Sequence, residues 1–313
     1  LIYSGSILML MSTLTPLHAG TGRSGGVVDL PIQRDSLGYP IIYASSLKGA
    51  LKTHVYLRCQ GSTAKKLFGP EPNDSEKYSA PVAVTDAYIL LIPVRSARGN
   101  PALLTSPFML RRVTDLLDLA LATQNSNVER IKKMRDALEK LASEGMKLKD
   151  GEALVFSDLL TLNIGKEQRV ILCGEQLRAF SKNLNAFKDG LEPIGNALPE
   201  SFGNLFPGRL VLVSDDTALR LIDKALIRVT RVRLDRERKV VEGTALWTEE
   251  YLPHGTLLAS LMLYSNNKAE IAGLSGDLRK TIMDSLEIRG ECGYIVFGGK
   301  ESIGRGITKV YLL

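Results

Sequence analysis

The chain has 313 residues, 44% of them apolar, enough to bury a sizeable core and, as a prior from length, to form about two domains. Its 40 Lys and Arg against 34 Asp and Glu leave a net charge of +6, too mild a bias to identify a nucleic-acid binder by itself, so the placement of charge matters more than its sum. Three cysteines (Cys59, Cys173, Cys292) and three histidines (His18, His54, His254) are scattered without metal-ligand spacing, which argues against a structural zinc site and suits a protein of the reducing cytoplasm with buried thiols.

The apolar run Ile7 to Leu14 predicts a buried strand ended by Pro16. Ile7 to Leu17 has the length of a signal-peptide core but lacks a basic n-region and a small-residue cleavage site. No apolar stretch reaches the ~18 residues of a membrane span, so no membrane partner is expected. A loop of more than twenty residues follows, holding Gly20, Gly22, Gly25 and Gly26. Loops this long inside a compact domain tend to be functional. One carboxylate, Asp29, stands in it among Val27, Val28, Leu30 and Pro31, bracketed by Arg23 and Arg34. An acid between cations suits a site that handles a charged backbone, and equally a loop aspartate paired to one of the arginines. A helix over about 44–58 comes next, with Ser45 as the expected N-cap. Lys48 stands where a capping box carries Glu or Gln, and Lys52 shares its face. These lysines either meet a phosphate at the helix start or are solvated surface side chains. His54 falls at the edge of the buried stripe and reads as a structural histidine.

Leu67 to Pro70 closes a short helical turn. A long strand is predicted over 80–94, and Arg95 and Arg98 follow it in a loop. Pro107 opens a helix whose apolar face includes Met109, Leu110, Val113 and Leu117. A second, charged helix over 128–144 stops at Gly145 and reads as a solvated face. Two short strands are expected within 152–164, a helix over 174–187 and a loop-rich stretch over 189–207. A strand over 209–213 and a short helix over 215–224 precede a hairpin formed by 226–234 and 240–247, with its turn at 235–239. Arg231 and Arg233 share one face of that hairpin, and Arg236, Arg238 and Lys239 extend its charge through the turn. A strand over 256–264, a helix over 274–286 and strands over 294–297 and 307–312 complete the chain. The order suits an α+β sheet with helices on one face.

Two glycine-rich stretches need sorting. Gly20 to Gly25 fits G-x-G-x-x-G, but no helix begins there, so it is not a dinucleotide site. Gly298 to Gly306 is not an NTPase phosphate loop, because Glu301 follows Lys300 and a strand comes next. Its glycines Gly298, Gly299, Gly304 and Gly306 let backbone approach a partner, with Lys300 and Arg305 supplying charge; a plain hairpin turn is the simpler alternative.

His18-Ala-Gly-Thr-Gly22, Val28-Asp29-Leu-Pro-Ile-Gln-Arg34 and Ser45-Ser-Leu-Lys-Gly-Ala-Leu-Lys52 resemble the RAMP superfamily of CRISPR proteins, most closely the repeated backbone subunit of the type III-B (Cmr) effector complex. Leu67-Phe-Gly69, Val84-Thr-Asp-Ala-Tyr88, Pro93-Val-Arg95, Thr105-Ser-Pro-Phe108, Trp247-Thr-Glu-Glu-Tyr-Leu-Pro253 and Phe297 to Gly306 extend the resemblance through nearly the whole chain.

The resemblance implies a modified ferredoxin-like (RRM-like) palm, from about 1–94 and 209–313, with a helical and loop insertion at about 95–208 and a β-hairpin thumb at about 228–250. It implies that Asp29 cleaves target RNA with a divalent metal, Mg²⁺ or Mn²⁺, weakly held and shared with RNA oxygens. The reaction is attack of a ribose 2′-OH on the adjacent phosphate, leaving a cyclic phosphate and a 5′-OH. His18, Glu249, Glu250 and Tyr251 are candidate helpers, or else a packing histidine and an exposed acidic strand end. Guide crRNA is expected against Ser46, Lys48, Lys52, Gly298, Gly299, Lys300, Gly304, Arg305 and Gly306, with Arg23, Arg34, Arg231 and Arg233 as further RNA contacts. Implied partners are guide crRNA, target RNA, copies of the chain itself, a small helical subunit, other RAMP subunits and a large signalling subunit. The alternatives are the backbone subunit of the type III-A (Csm) complex, a guide-RNA scaffold that does not cut, and a metal-independent guide-processing endonuclease using His18 or His54.

Overall fold

The computed structural model describes residues 2–59, 61–75, 77–124, 126–184, 187–234 and 241–313. In chain order the first elements are β1 (Gly5–Thr13), β2 (Ile41–Ile42), α1 (Ala44–Arg58), α2 (Gly61–Phe68), β3 (Val82–Val84) and β4 (Ala87–Val94). Then come β5 (Ala102–Thr105), α3 (Pro107–Leu121), α4 (Val128–Gly145), β6 (Glu152–Val155), β7 (Leu162–Ile164), β8 (Glu167–Leu172), β9 (Glu175–Ser181), α5 (Lys188–Ala197) and α6 (Glu200–Gly203). The chain closes with β10 (Leu210–Val213), α7 (Asp215–Ala225), β11 (Ile227–Leu234), β12 (Val241–Tyr251), β13 (Leu257–Tyr264), α8 (Asn266–Ile271), α9 (Leu278–Ser285), β14 (Cys292–Val296) and β15 (Ile307–Leu312).

The result is a mixed α+β fold. Among the described residues one sheet runs β14-β15-β1-β13-β4-β5-β10-β6-β9-β8-β7, with β2 on β4 and β3 on β13, and β11 and β12 form a separate hairpin. The two ends of the chain interleave: β1 is antiparallel to both β13 and β15, with Ile7 opposite Met262 and Met9 opposite Leu312. Every residue of β1 is buried. Ile7, Met9 and Met11 pack with Leu47 and Leu51 of α1 and Leu221 of α7. Leu8 and Leu10 pack with Val113 of α3, Leu141 of α4 and Leu191 of α5. Helices therefore cover both faces of the sheet, not one. The unbroken apolar run of β1 has no polar face to offer water, as a strand covered on both sides requires.

Four other expectations are corrected. In place of the helix expected over 174–187, β9 spans Glu175–Ser181 and pairs with β8 across a two-residue turn, Cys173-Gly174. Both turn residues have positive φ, 49° and 86°, the conformation of a tight hairpin, with Cys173 where Asn or Asp is usual. The stretch over 189–207 carries α5 and α6 despite Pro193, because Gly190 lets α5 close on α4; a Cβ there would lie 2.3 Å from the carbonyl oxygen of Lys133. The strand predicted over 80–94 breaks at Thr85 and Asp86, and Asp86 turns to accept the Ala44 N–H at 2.7 Å. That bond starts α1. Its N-cap is Tyr43, and Ser45 lies inside the helix.

The cysteines are unpaired as expected but only half-buried. No helix among the described residues is long and apolar enough to cross a membrane. The thumb turn, with Arg236, Arg238 and Lys239, lies outside the described residues.

Candidate functional site

The long loop after β1 is woven into its surroundings by backbone hydrogen bonds. Leu17 and Leu252 exchange N–H···O bonds of 3.0 and 2.9 Å, and Gly299 N–H donates to His18 O at 2.9 Å. Farther along, Leu30 N–H donates to Thr248 O at 3.0 Å and Glu250 N–H to Leu30 O at 3.1 Å. Leu30 thus runs parallel to Glu249 and adds a short third strand to the base of the β11–β12 hairpin.

Asp29 stands at the start of that added strand. Thr248 donates to its Oδ2 twice, from the backbone N–H at 2.7 Å and from the hydroxyl at 2.9 Å. The Asp29 N–H donates to Thr248 Oγ1 at 3.0 Å, so the contact is reciprocal. Among the described residues no hydrogen bond reaches Oδ1. The two Thr248 bonds, and then the charge of Arg23, hold the carboxyl below the usual range.

The two acids beyond Thr248 point elsewhere. Glu249 and Glu250 are each 1% exposed. Glu249 accepts Trp247 Nε1 and Lys300 Nζ at 2.7 and 2.8 Å, and also the Tyr251 hydroxyl. Burial alone would raise its pKa, but these donors outweigh it and bring it to about 2. Burial, then the bond to Glu249, push Tyr251 up to about 12. Glu250 receives Arg34 Nη2 on both oxygens at 2.9 and 3.0 Å, Arg228 Nε at 3.2 Å and the Ile32 N–H at 3.3 Å. His18 is 7% exposed, its Nδ1 lies 2.7 Å from Glu250 O and its ring packs on Tyr251. A carbonyl can only accept, so Nδ1 carries the proton of that bond.

A groove of about 720 Å³ opens beside Ala19 and Gly20. It lies between α1, which presents Ser45, Ser46, Gly49 and Thr53, and the loop Gly298-Gly299-Lys300. Gln33 braces its floor, donating to Ser46 Oγ at 2.9 Å and Gly20 O at 3.2 Å. The glycines are sterically required: with φ of 77°, a Cβ on Gly298 would sit 2.4 Å from His18 O, and on Gly306 2.0 Å from Phe297 O. Lys300 itself adopts φ 71° at the crest of the loop. The guanidinium of Arg305 lies 5.0 Å from the Tyr251 ring centroid, which joins the loop to the acid pair.

A sequence model of the RAMP superfamily matches residues 10–309. The chain belongs to the RAMP superfamily. Among relatives, this RAMP protein is 32% identical to the CRISPR system Cmr endoribonuclease Cmr4 of Pyrococcus furiosus, over 97% of this chain and 95% of that one. Among solved structures, a chain of the type III-B Cmr-beta complex bound to cognate target RNA superposes with a TM-score of 0.75 at 28% identity, covering 100% of this chain and 98% of that one. Oligomeric Cmr4 from Pyrococcus furiosus gives 0.66 at 26% identity, covering 99% and 98%.

The RAMP fold brings Asp29, His18, Glu249 and Tyr251 around one hairpin base, and Ser46, Gly298, Gly299 and Lys300 around one groove. It does not bring Lys48 and Lys52 there. Lys52 pairs with Glu71 at 2.7 Å, and Lys48 is half-buried, its pKa lowered by burial and then by Lys52 and Lys268. Arg34 is tied to Glu250. Arg23, Arg233 and Gly304 are exposed, and Arg231 is half-buried opposite Trp247. Thr248, Asp86 and Gln33 were missed as site residues. All three lie in the motifs that carry the resemblance, but their roles depend on partners outside their own motif, 219 residues away for Thr248 and Asp29 and 13 for Gln33 and Ser46.

For a metal, the residues fit a limited role. Among the described residues no three Asp, Glu, His or Cys side chains converge. Glu249 and Glu250 are occupied by cations. Asp29 Oδ1 remains, which suits a hydrated dication completed by substrate phosphates and not an all-protein cage.

Proposed function

We propose that this chain is the multi-copy backbone subunit of a type III-B CRISPR effector complex, holding guide crRNA and cutting complementary target RNA at Asp29. The observation that carries the reading is the Asp29 carboxylate, oriented by Thr248 with one oxygen outward, in a chain that aligns nearly end to end with a Cmr endoribonuclease. In this reading β1, β13, β4 and β15 belong to a ferredoxin-like palm, 95–208 form an extension and β11–β12 the thumb.

The reaction is in-line attack of a ribose 2′-oxygen on the adjacent phosphorus. The 2′-O–P bond forms as the P–O5′ bond breaks, giving a 2′,3′-cyclic phosphate; the 2′-OH proton passes to solvent and the departing 5′-oxygen takes one proton from solvent to become a 5′-OH. Geometry contributes most, since nucleophile, phosphorus and leaving oxygen must align. A carboxylate with a depressed pKa is ionised at neutral pH but is a weak base. Asp29 therefore orients the 2′-OH and holds a cation in preference to removing the proton outright. When bound, Mg²⁺ or Mn²⁺ supplies charge to the phosphoryl oxygens. Glu249, Tyr251 and His18 hold the loop and hairpin beneath Asp29 in register.

Guide crRNA lies in the groove of Ser46, Gly298, Gly299 and Lys300, gripped by its backbone without sequence reading. Copies stack head to tail along it, since heterologous contacts that do not close give filaments. The small helical subunit, other RAMP subunits and a large signalling subunit complete the assembly. The test uses the assembled complex with matched target RNA and Mn²⁺ or Mg²⁺. Wild type cuts at regular intervals, and Asp29→Ala binds target without cutting; full-rate cutting by that variant overturns the reading.

A further inference from the structure

Thr248 offers Asp29 both of its polar groups. The backbone N–H and the hydroxyl converge on the same oxygen, Oδ2, at 2.7 and 2.9 Å, and the Asp29 N–H returns to the hydroxyl oxygen at 3.0 Å. A carboxylate bound through one oxygen by two donors has a fixed plane. Its second oxygen then has a fixed direction, the requirement for a group that must meet a reacting 2′-OH within a few tenths of an ångström.

Thr248 also sits on β12, one residue past Trp247, where β11 and β12 are still paired: Thr230 lies opposite Thr248 and Arg231 opposite Trp247. The backbone bond from Leu30 N–H to Thr248 O ties the following loop residue to the same position. The orientation of Asp29 is thereby referred to the hairpin and not to its own glycine-flanked loop. Residues 20–27 are largely exposed, and Gly22 and Gly25 have nothing within 4 Å of a built Cβ, so that segment alone could not hold a carboxylate still.

We infer that Thr248 is a positioning residue for target-RNA cleavage, its hydroxyl locking Asp29 Oδ2 so that Oδ1 is presented to the RNA. This rests on the reading that Asp29 is the cleaving residue. Thr248 touches no reacting atom. It acts through Asp29 alone, and coupling to the hairpin makes cutting sensitive to how the thumb is seated.

The test uses assembled complex with guide and matched target RNA, comparing wild type with Thr248→Val, Thr248→Ser and Asp29→Ala. Valine keeps the shape and the backbone N–H but removes the hydroxyl. Its cutting rate under single turnover falls roughly ten- to a hundred-fold, the range for losing a hydrogen bond to a charged group, with guide occupancy and target affinity unchanged. Serine restores the rate to within about threefold, since it keeps the donor. The charged group facing Asp29 is Arg23 on its own loop; on β12, Glu249 and Glu250 are turned to Lys300 and to Arg34 and Arg228. Wild-type rate in Thr248→Val, with Asp29→Ala inactive, overturns the inference and leaves the Asp29 reading standing. Loss of guide occupancy in proportion to rate also overturns it, by making the role merely structural. Full cutting by Asp29→Ala overturns the underlying reading and the inference together.

Discussion

Lys300 Nζ lies 2.8 Å from Oε1 of Glu249, a carboxylate almost wholly shut off from water. The lysine at the crest of the glycine loop is therefore also the counter-ion of the hairpin base. Groove and hairpin base share one ion pair. Removing one partner of a buried pair strands the other charge, typically costing ~3–5 kcal/mol. Lys300 is a third exposed, so water screens part of this, and Lys300→Met is expected to destabilise by about 2 kcal/mol. Glu249→Gln in that background should recover most of the loss. Urea unfolding of Lys300→Met, Glu249→Gln and the double variant checks both; additive losses would show that the pair is not coupled.

The same carboxylate sets a pH dependence. Its folded pKa of about 2 lies below the ordinary 4.5, so the folded state favours the ionised form. The stability it contributes is fully present above about pH 4.5 and is lost as pH falls towards about 2. Glu249→Gln should flatten the fall in Tm across that window relative to wild type. Parallel curves would remove Glu249 from the account.

Glu250 is the other clamp. It holds Arg34 by two bonds to one nitrogen, Arg228 from the facing strand and the Ile32 N–H. Glu250→Ala removes the buried acceptor that two guanidiniums share, although Arg228 keeps Asp223 and Arg34 the Gly38 carbonyl, and it releases the loop end, an expected loss of about 2 kcal/mol. Hydrogen exchange of the Leu30 and Ile32 amides should accelerate at least tenfold. Unchanged protection would mean that the backbone pairing with β12 suffices.

These clamps show what was legible in the chain. The motifs carrying His18, Asp29, Ser46, Glu249 and the glycine loop could be read directly, because each is a local pattern. Helices α1, α3, α4 and α7 were legible from their apolar spacing. The partnerships were not. Nothing local in Trp247-Thr-Glu-Glu-Tyr tells which acid faces a lysine and which an arginine, since alternation places Glu249 and Glu250 on opposite faces of β12. Strand β9 was misread because its turn uses Cys173 at positive φ. Helix α5 was missed because Pro193 and two glycines outweighed a buried face that only α4 explains.

The groove makes a steric prediction. Gly298 has φ 77° and no room for a Cβ beside His18 O. Gly298→Val should displace the loop and reduce guide co-purification at least tenfold, while Gly25→Ala, where a Cβ meets nothing within 4 Å, should have little effect on guide occupancy. Equal occupancy in both would separate the guide from this groove.

Metal removal tests the remaining chemistry. EDTA should abolish cutting while leaving guide and target bound, and Mg²⁺ or Mn²⁺ should restore it in the millimolar range expected of a one-carboxylate site. Cutting that persists in EDTA would assign the reaction to protein groups alone.

The most direct test of the central claim mixes wild-type and Asp29→Asn subunits in known ratio, assembles them on one guide and maps target cuts on a denaturing gel. If each copy cuts at its own Asp29, every band weakens in proportion to the variant fraction, band positions stay fixed and the pure variant gives none. Bands of undiminished rate in the pure variant would contradict the account.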